Sequence, residues 1–248
     1  PLIFSNYGMS GATCPITPAG TLALLTAELL AGLVYSQLVK EGAPIILGSL
    51  PASFDMKKAG SFYSPQSLLI NLACAEMMSF YNIPHCGTSG SGNGWAADLL
   101  AGTTLCINHF TSCLGNVGMV PFVGGNFESL VFSPELVVYS DDLIHQSRLF
   151  ASGFSINDEA IGFSDISFMG PGGNYLLSAQ TGKHFKDSQF SSRVWPLLTL
   201  DKWKEQGEPR ADEILRKRTC DLLNNPARPA DHGDILSRGE SFLTRILS

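Results

Sequence analysis

Short apolar runs alternate with long helical segments through the first 155 residues, and this alternation limits the possible folds more than any other feature. Each run is short and continuous, as expected for parallel strands that are covered on both faces. Repeated strand–helix units of this kind predict a parallel α/β fold. The four predicted strands are Leu2–Ser5, Pro44–Gly48, Pro84–Gly87 and Val117–Val123.

Pairs of a hydroxyl residue and a proline mark where three of the predicted helices begin. Ser or Thr caps the first turn of a helix, and proline is favoured just inside it because an N–H there would have no partner. Such pairs stand at Thr17-Pro18, Ser64-Pro65 and Ser133-Pro134. We therefore predict helices over residues 18–40, 65–81, 95–114 and 134–152.

Four strand–helix units are half of what a closed (β/α)8 barrel needs. The pattern fits either half of such a barrel or a small doubly wound sheet. The chain begins Pro1-Leu2-Ile3-Phe4, already inside an apolar run, and we expect an N-terminal part to precede it. We thus predict that residues 1–155 form the C-terminal half of a (β/α)8 TIM barrel, with the four strands as parallel neighbours in chain order.

The regular alternation ends after residue 155, and residues 156–248 predict a helical C-terminal extension that packs on the barrel. Two short helices are expected over 158–169 and 175–185, with a glycine-rich turn between them. A charged helix over 209–223, a Pro-rich tail and a short amphipathic helix over 235–247 complete this extension.

Charge and cysteine content exclude several classes of function. The formal net charge is -6 and the basic residues gather late, between Lys202 and Arg218, so the basic footprint of a nucleic-acid-binding protein is missing. The six cysteines form no CxxC pair, which suits reduced, structural thiols in a cytoplasmic protein. Residues 21–39 have the length of a membrane span, but Glu28, Gln37 and many small residues favour a buried barrel helix.

Metal, phosphate and triad sites have little support. The histidines show no HxH or HExxH spacing, and the adjacent His85 and Cys86 would point to opposite faces of a strand. Gly124-Gly125 stands where many barrels hold phosphate, but no Lys or Arg is near it and neither GxGxxG nor a P-loop occurs. No GxSxG elbow supports a Ser-His-Asp triad. We predict that the chain has no metal site.

The loops that follow barrel strands carry the chemistry of that fold, and here they are rich in aromatic side chains. These loops are residues 6–11, 49–63, 88–95 and 122–127. Aromatic faces attract cations, including methylated ammonium groups, so several rings at one mouth would form an amine cage. Each ring alone fits a packing role as well. The rings in or beside the loops are Tyr7, Phe54, Phe62, Tyr63, Trp95, Phe122 and Phe127.

Four segments of the chain resemble the trimethylamine:corrinoid methyltransferase family, in the same order. They are residues 8–48, the segment from Phe127 to Ile144 with ESLVFSPELVVYSDDLI, GPGGNYLLSAQTGKHFKD at 170–187 and WPLLTLDKWKEQG at 195–207. The resemblance implies a (β/α)8 barrel of nearly twice this length. It also implies methyl transfer from a methylated amine to the Co(I) of a corrinoid on a separate partner protein. No Asp-x-His-x-x-Gly occurs here to supply a cobalt-ligating histidine, so we expect no corrinoid to be held tightly by this chain.

Trimethylamine-specific members of that family carry pyrrolysine, whereas other members lack it and use quaternary amines such as glycine betaine. This chain has no pyrrolysine, so the resemblance implies a quaternary amine as substrate. Two departures from the family pattern concern the substrate. Many family members have a run of Asp, Ser and Lys before an Asp-x-Gln; at that place this chain has Gly90-Ser91-Gly92-Asn93, then Asp98 and Leu100. Where His-Thr is expected, this chain has Gln180-Thr181.

The predicted substrate-binding residues combine polar groups for a carboxylate with rings for a cationic nitrogen. No catalytic residue is assigned, because a quaternary nitrogen leaves as a neutral amine and needs no general acid. The expected partners are a cognate corrinoid protein, a small methylated amine and further copies of the chain. The alternatives are a non-catalytic barrel fragment or paralogue that binds a corrinoid protein or an amine, and a phosphate-binding barrel lyase or isomerase. The six residues are Asn6, Tyr7, His85, Thr88, Trp95 and Phe122.

Overall fold

Parallel strands with long helices against one face form the N-terminal part of the computed structural model, which describes residues 2–88, 90–127, 129–186, 188 and 190–247. Strand β1 (Leu2–Ser10) runs parallel to β2 (Ile45–Asp55) in register along its whole length. β2 turns back into the short antiparallel β3 (Gly60–Phe62). On the side away from β1, β2 also pairs in parallel with β4 (His85–Cys86).

The predicted order of neighbouring parallel strands is confirmed for the first three and only partly for the fourth. The prediction of a strand over Val117–Val123 is wrong, since a single parallel bridge joins Cys86 to Met119. Gly118 adopts φ +89° and Pro121 has no N–H, so this segment cannot continue a ladder. The described strands form an open sheet and do not close into a barrel.

Helices α1 (Pro18–Val39) and α2 (Pro65–Phe80) begin at the predicted prolines. The Thr17 side chain accepts the N–H of Gly20, and Ser64 forms a reciprocal capping box with Ser67. α1 is the one helix in the described ranges whose length and composition would suffice to cross a membrane. Here it packs on the sheet and against α2.

The core lies between these two helices and the sheet. The Phe4 ring lies so close to Gly32 of α1 that an added Cβ would stand 2.3 Å from it, and the glycine therefore sets how near α1 approaches β1. Leu29, Leu47 and Met78 are fully buried beside this contact. Each such side chain contributes about 1.5–3 kcal/mol relative to an exposed one.

Helix α3 (Leu99–Leu114) begins four residues later than predicted, because Asp98 rather than a residue before Trp95 caps it. Helix α4 (Pro134–Ala151) begins as predicted, capped by Ser133. The two helices share a small core of their own, and the short antiparallel pair β5 (Gly125–Asn126) and β6 (Val131–Phe132) lies between them in the chain.

The C-terminal region is helical, as predicted, but more fragmented. The predicted helix over 158–169 breaks at Gly162, which adopts φ +62°, and the one over 175–185 is a 3-10 turn followed by a short helix. α8 was not predicted. The helices are α5 (Asp158–Ile161), α6 (Phe163–Met169), α7 (Ala179–His184), α8 (Leu200–Glu205), α9 (Ala211–Asn224) and α10 (His232–Leu247).

Candidate functional site

The two faces of the sheet differ, and this decides where the predicted residues of β1 point. Asn6 faces α1, since its Nδ2 donates to Leu25 O at 3.0 Å and to a Glu28 carboxylate oxygen at 2.9 Å. Successive strand residues point to opposite faces. Tyr7 therefore lies on the face away from the helices, where its side chain is 49% exposed.

His85 also lies on the helix side of the sheet, in register with the core residue Leu47. Its Nδ1 lies 2.8 Å from Val117 O, which can only accept, so Nδ1 carries the proton. Nε2 then accepts from the Ser49 hydroxyl at 2.7 Å. Burial lowers the pKa of His85. The structure thus places Asn6 and His85 among the helices and on the opposite face from Tyr7.

Two glycine-containing loops meet where the strands end: the glycine loop (residues 88 and 90–95) and the rim loop (residues 121–127). Ser91 and Gly125 form a parallel bridge, and the Gly92 N–H donates to Gly125 O at 2.9 Å. Gly90 adopts φ +92°, and a Cβ there would stand 2.8 Å from Val123 N, so this position requires glycine. Ser89 lies outside the described residues.

Thr88 is fixed at the base of the glycine loop. Its backbone N–H donates to Asn71 Oδ1 at 2.9 Å, and its hydroxyl lies 3.3 Å from that of Tyr63. Asn93 Nδ2 donates to Tyr63 O at 3.0 Å, which ties the far side of the loop to the same segment. The buried Thr88 hydroxyl and the Tyr63 ring are thereby held together at the end of β4.

Two further asparagines hold the loop pair, one from α3 and one from within the rim loop. Asn108 Nδ2 donates to Ser91 O at 3.2 Å, and Asn126 Nδ2 donates to Ala96 O at 2.9 Å. Both residues are almost completely buried. Because each Nδ2 meets a carbonyl oxygen, the orientation of each amide is determined.

This orientation leaves a set of acceptor oxygens in the loop pair. The Oδ1 atoms of Asn93, Asn108 and Asn126 and the hydroxyl of Ser91 have no hydrogen-bond partner among the described residues. Buried polar atoms are usually paired, so these four lack the partner that such atoms normally have. Neither loop contains Lys or Arg, and a ligand that brings positive charge fits these surroundings.

Asp98 follows the glycine loop, and its carboxylate is already hydrogen-bonded to backbone N–H groups. Its oxygens accept the N–H groups of Ala101, Trp95 and Ala96 at 2.9–3.2 Å. Burial by itself would raise the pKa of Asp98, but these backbone donors, together with Leu100, hold the pKa below its usual range. Asp98 is therefore an ionised helix cap and not a proton donor.

Trp95 and Phe122 stand in the loop pair with exposed rings, 73% and 42% respectively. Phe122 adopts φ +72°, which is uncommon for a bulky residue. Of the six predicted residues, the structure brings Thr88, Trp95 and Phe122 to the loop pair. No three His, Cys, Asp or Glu side chains lie close enough to share a metal ion in the described ranges.

The sequence did not single out the asparagines that hold the loops. Asn71 and Asn108 lie inside otherwise apolar helices, and both are buried. An amide inside an apolar helical stripe is the signal that could have identified them, because such a group must find a partner in the core.

A sequence model of the family described as trimethylamine methyltransferase matches residues 1–245. A glycine betaine methyltransferase of Desulfitobacterium hafniense is 27% identical over 98% of this chain and 51% of its own length. The trimethylamine methyltransferase MttB of Methanosarcina thermophila is 27% identical over 95% of this chain and 49% of its own. MttB1 of Methanosarcina acetivorans is 29% identical over 99% and 50%.

The chain thus spans about half the length of the curated relatives it matches. The match nevertheless runs through the sheet, both loops and the C-terminal helices. The chain belongs to the trimethylamine methyltransferase family.

Proposed function

We propose that the protein containing this chain transfers a methyl group from a quaternary amine to the Co(I) corrinoid of a partner protein. Family membership supports methyl transfer, and the relatives above are named for trimethylamine and glycine betaine. The corrinoid acts here as the methyl acceptor, a second substrate. We accordingly expect no tight retention of a corrinoid by this chain.

The observation that carries the proposal is the neutral, oxygen-rich loop pair at the strand ends. It combines buried acceptor oxygens that have no partner among the described residues with exposed rings, and it has no basic side chain. Quaternary ammonium has no N–H to donate, and its positive charge is spread over methyl groups. Amide oxygens and aromatic faces both attract such a charge.

The proposed reaction makes little use of acid or base groups. A quaternary nitrogen departs as a neutral amine once its methyl carbon is attacked, so no proton has to be delivered. The state of Asp98 is consistent with this, because its carboxylate accepts backbone N–H groups and is not available as a proton donor. The protein's part is to orient the amine, exclude water from it and stabilise its charge before transfer.

We propose Thr88, Trp95 and Phe122 as substrate contacts, with Tyr7 contributing from the open face of the sheet. Asn6 and His85, which were predicted to hold a carboxylate, face the helices, and we propose a structural role for them instead. The unassigned carboxylate partner is then one of the loop hydroxyls or backbone N–H groups.

We further propose that residues 1–155 are half of a (β/α)8 barrel and that residues 156–248 are its helical extension. Parallel sheets are normally covered on both faces, and here Ile3 and Tyr7, on the face of β1 away from the helices, are 50% and 49% exposed. Relatives of twice the length are consistent with a second half. We expect the whole protein to be cytoplasmic and homo-oligomeric, without nucleic-acid or membrane partners.

Calorimetry with glycine betaine and its carbon isostere 3,3-dimethylbutanoate tests cation recognition. We expect the betaine to bind more tightly by about 0.5–2 kcal/mol, the range for a cation over an aromatic face. Trp95→Leu should remove most of this difference, whereas the exposed control Phe168→Leu should not. Equal affinity for the two ligands would show that shape, not charge, selects the ligand.

A methyl-transfer assay with cob(I)alamin and a panel of quaternary amines tests the reaction itself. We expect turnover of at least one quaternary amine by the protein that contains this chain. Binding of the amine without transfer would support a non-catalytic binder, which is not favoured because the relatives reported above are all named as methyltransferases.

A further inference from the structure

Tyr63 is held beside the glycine loop by contacts on both sides of it in the chain. The preceding residue, Phe62, pairs with Ser53 in the β2–β3 hairpin. The following residue, Ser64, caps α2, and its hydroxyl lies 2.6 Å from that of Ser53. Tyr63 O also accepts Asn93 Nδ2 at 3.0 Å. The backbone of Tyr63 is therefore fixed between a strand, a helix cap and the glycine loop, and a ligand that its side chain binds meets a preorganised group.

The Tyr63 hydroxyl accepts a hydrogen bond but donates none to the part of the chain that the structure describes. The Thr88 hydroxyl donates to the Tyr63 Oη at 3.3 Å. Thr88 is itself fixed, because it is buried and its backbone N–H donates to Asn71 Oδ1 at 2.9 Å. A phenol has one hydrogen to donate, and a half-buried tyrosine usually uses it. The hydroxyl hydrogen of Tyr63 is thus left for solvent or for a ligand at the strand ends.

The charges around this hydroxyl favour a neutral donor as the partner of a carboxylate. The glycine loop and the rim loop contain no Lys or Arg. The basic residues nearest to Tyr63 in sequence, Lys57 and Lys58, are exposed in the turn between β2 and β3. A basic side chain would attract a carboxylate but repel an ammonium group on the same small ligand. A tyrosine hydroxyl donates to the carboxylate without that repulsion.

We propose that Tyr63 is a specificity-determining residue, which selects a quaternary amine that carries a carboxylate, a betaine, over one that carries none. This assignment rests on the proposed function above. The Tyr63 O–H donates to the carboxylate, and the ammonium group lies toward the oxygens and rings of the loop pair. Thr88 contributes through Tyr63, because its donation to Oη turns the phenol hydrogen away from Thr88. A site built around such a donor discriminates against a ligand that cannot accept from it.

Dissociation constants of glycine betaine and tetramethylammonium, measured by calorimetry on the protein that contains this chain, test the assignment. The unmodified protein should prefer the betaine. Tyr63→Phe keeps the ring and removes only the hydroxyl, and it should lower this preference about tenfold or more, as expected for a lost hydrogen bond to a charged group. It should also weaken binding of 3,3-dimethylbutanoate, which keeps the carboxylate without the positive charge. Tyr35→Phe, at an exposed position of α1, is the matched control and should leave the preference unchanged.

Two further variants distinguish Tyr63 from the other donors near it. Thr88→Val should lower the preference by a smaller factor than Tyr63→Phe does, because Tyr63 keeps its own hydrogen. Exchange of Lys57 and Lys58 for glutamine should leave the preference unchanged. A larger loss with Thr88→Val than with Tyr63→Phe would mean that Thr88 itself holds the carboxylate, and a loss with the glutamine variant would mean that a lysine does. Either result overturns the assignment.

The outcomes also separate this assignment from the proposed function. Equal affinity of the unmodified protein for glycine betaine and tetramethylammonium, or an unchanged preference in Tyr63→Phe, overturns the role of Tyr63 and leaves cation recognition intact. Failure of the unmodified protein to bind either quaternary amine overturns the proposed function, and the assignment falls with it.

Discussion

His109 illustrates, at the scale of a single residue, how burial alone alters chemistry. It is 2% exposed inside α3, and its Nε2 has no partner among the described residues. Burial lowers its pKa to about 4, from an ordinary value near 6.5. The ring is therefore neutral in the folded protein at neutral pH. His109 binds a proton more readily in the unfolded chain than in the folded one.

The lowered pKa of His109 predicts a specific acid sensitivity. Between about pH 6.5 and 4 the unfolded chain binds a proton that the folded chain does not, so stability is lost as the pH falls through this window. The loss should approach roughly 3 kcal/mol at pH 4 and change little above pH 7. Urea denaturation of wild type and His109→Gln across this range measures it.

A non-titrating side chain at this position should flatten the pH dependence, even if it lowers stability at pH 7. His184→Gln, at the exposed end of α7, serves as the matched control for loss of an imidazole. Identical pH profiles for wild type and His109→Gln would contradict the assigned cause.

The sequence did not define on which face of a strand each predicted site residue lies. Thr88 and Trp95 were selected because they follow the strand that became β4, and Phe122 because it stands at the end of a predicted strand that does not form. Their role as substrate contacts stays a prediction. Asn6 and His85 satisfied the same rule but alternate to the helix side of their strands. One residue of register separates the two faces of a strand, and apolar runs with no alternation do not define that register.

At the scale of elements, local chemistry predicted where helices begin better than where strands end. Three Ser/Thr-Pro starts are confirmed, because a cap and a proline act within one turn. The predicted strand over Val117–Val123 failed, because its pairing depends on Gly118 and on contact with β4 rather than on its own apolar content.

Asp98 gives a prediction for α3. Its carboxylate accepts N–H groups from both the helix and the turn before it. Asp98→Ala should lower the free energy of unfolding by about 1 kcal/mol, and Asp98→Asn by less, because asparagine also caps helices. Since the pKa of Asp98 is depressed, its contribution is present at neutral pH and should be lost as the pH falls below its unfolded value. Thermal unfolding at neutral pH and in acid would show both effects.

Asp142 gives a prediction for the packing of the C-terminal region on α4. It is fully buried and accepts the Ser192 hydroxyl at 3.0 Å and the Arg193 N–H at 2.9 Å. This turn positions Trp195 edge-on to Tyr139, with ring centroids 5.8 Å apart. Asp142→Ala should cost roughly 1–3 kcal/mol, because it removes the buried acceptor of two part-buried hydrogen bonds, and should alter tryptophan fluorescence.

Asp141→Ala is the matched control for Asp142. Its exposed carboxylate lies 3.7 Å from the Arg193 guanidinium. An exposed pair of this kind contributes about 0–1 kcal/mol, so this variant should unfold much as wild type does. Equal destabilisation by the two substitutions would mean that Asp142 does not anchor the turn.

For the whole molecule, the sequence predicted the class of fold and the order of strands, but not closure. Alternating strands and helices imply parallel pairing through local rules of connection. Whether a sheet closes into a barrel depends on the further strands and helices that pack against its edges and faces. Half of a repeating strand–helix pattern does not contain those elements.

The outer edge of β1 provides the test of the half-barrel proposal. In a parallel pair, the N–H groups of alternate residues point toward the same neighbour. Leu2 N–H donates toward β2, to Pro44 O, so Phe4 and Asn6 donate in that direction while Ile3 and Ser5 point to the outer edge. Amide exchange of this chain alone should therefore alternate along β1, with Phe4 and Asn6 protected and Ile3 and Ser5 fast. In a protein that also holds the second half of the barrel, a further parallel strand would cover this edge, and Ile3 and Ser5 should slow by at least tenfold while their neighbours change little. Fast exchange at Ile3 and Ser5 in that longer protein would mean that β1 stays an edge strand, and the half-barrel would have to be abandoned.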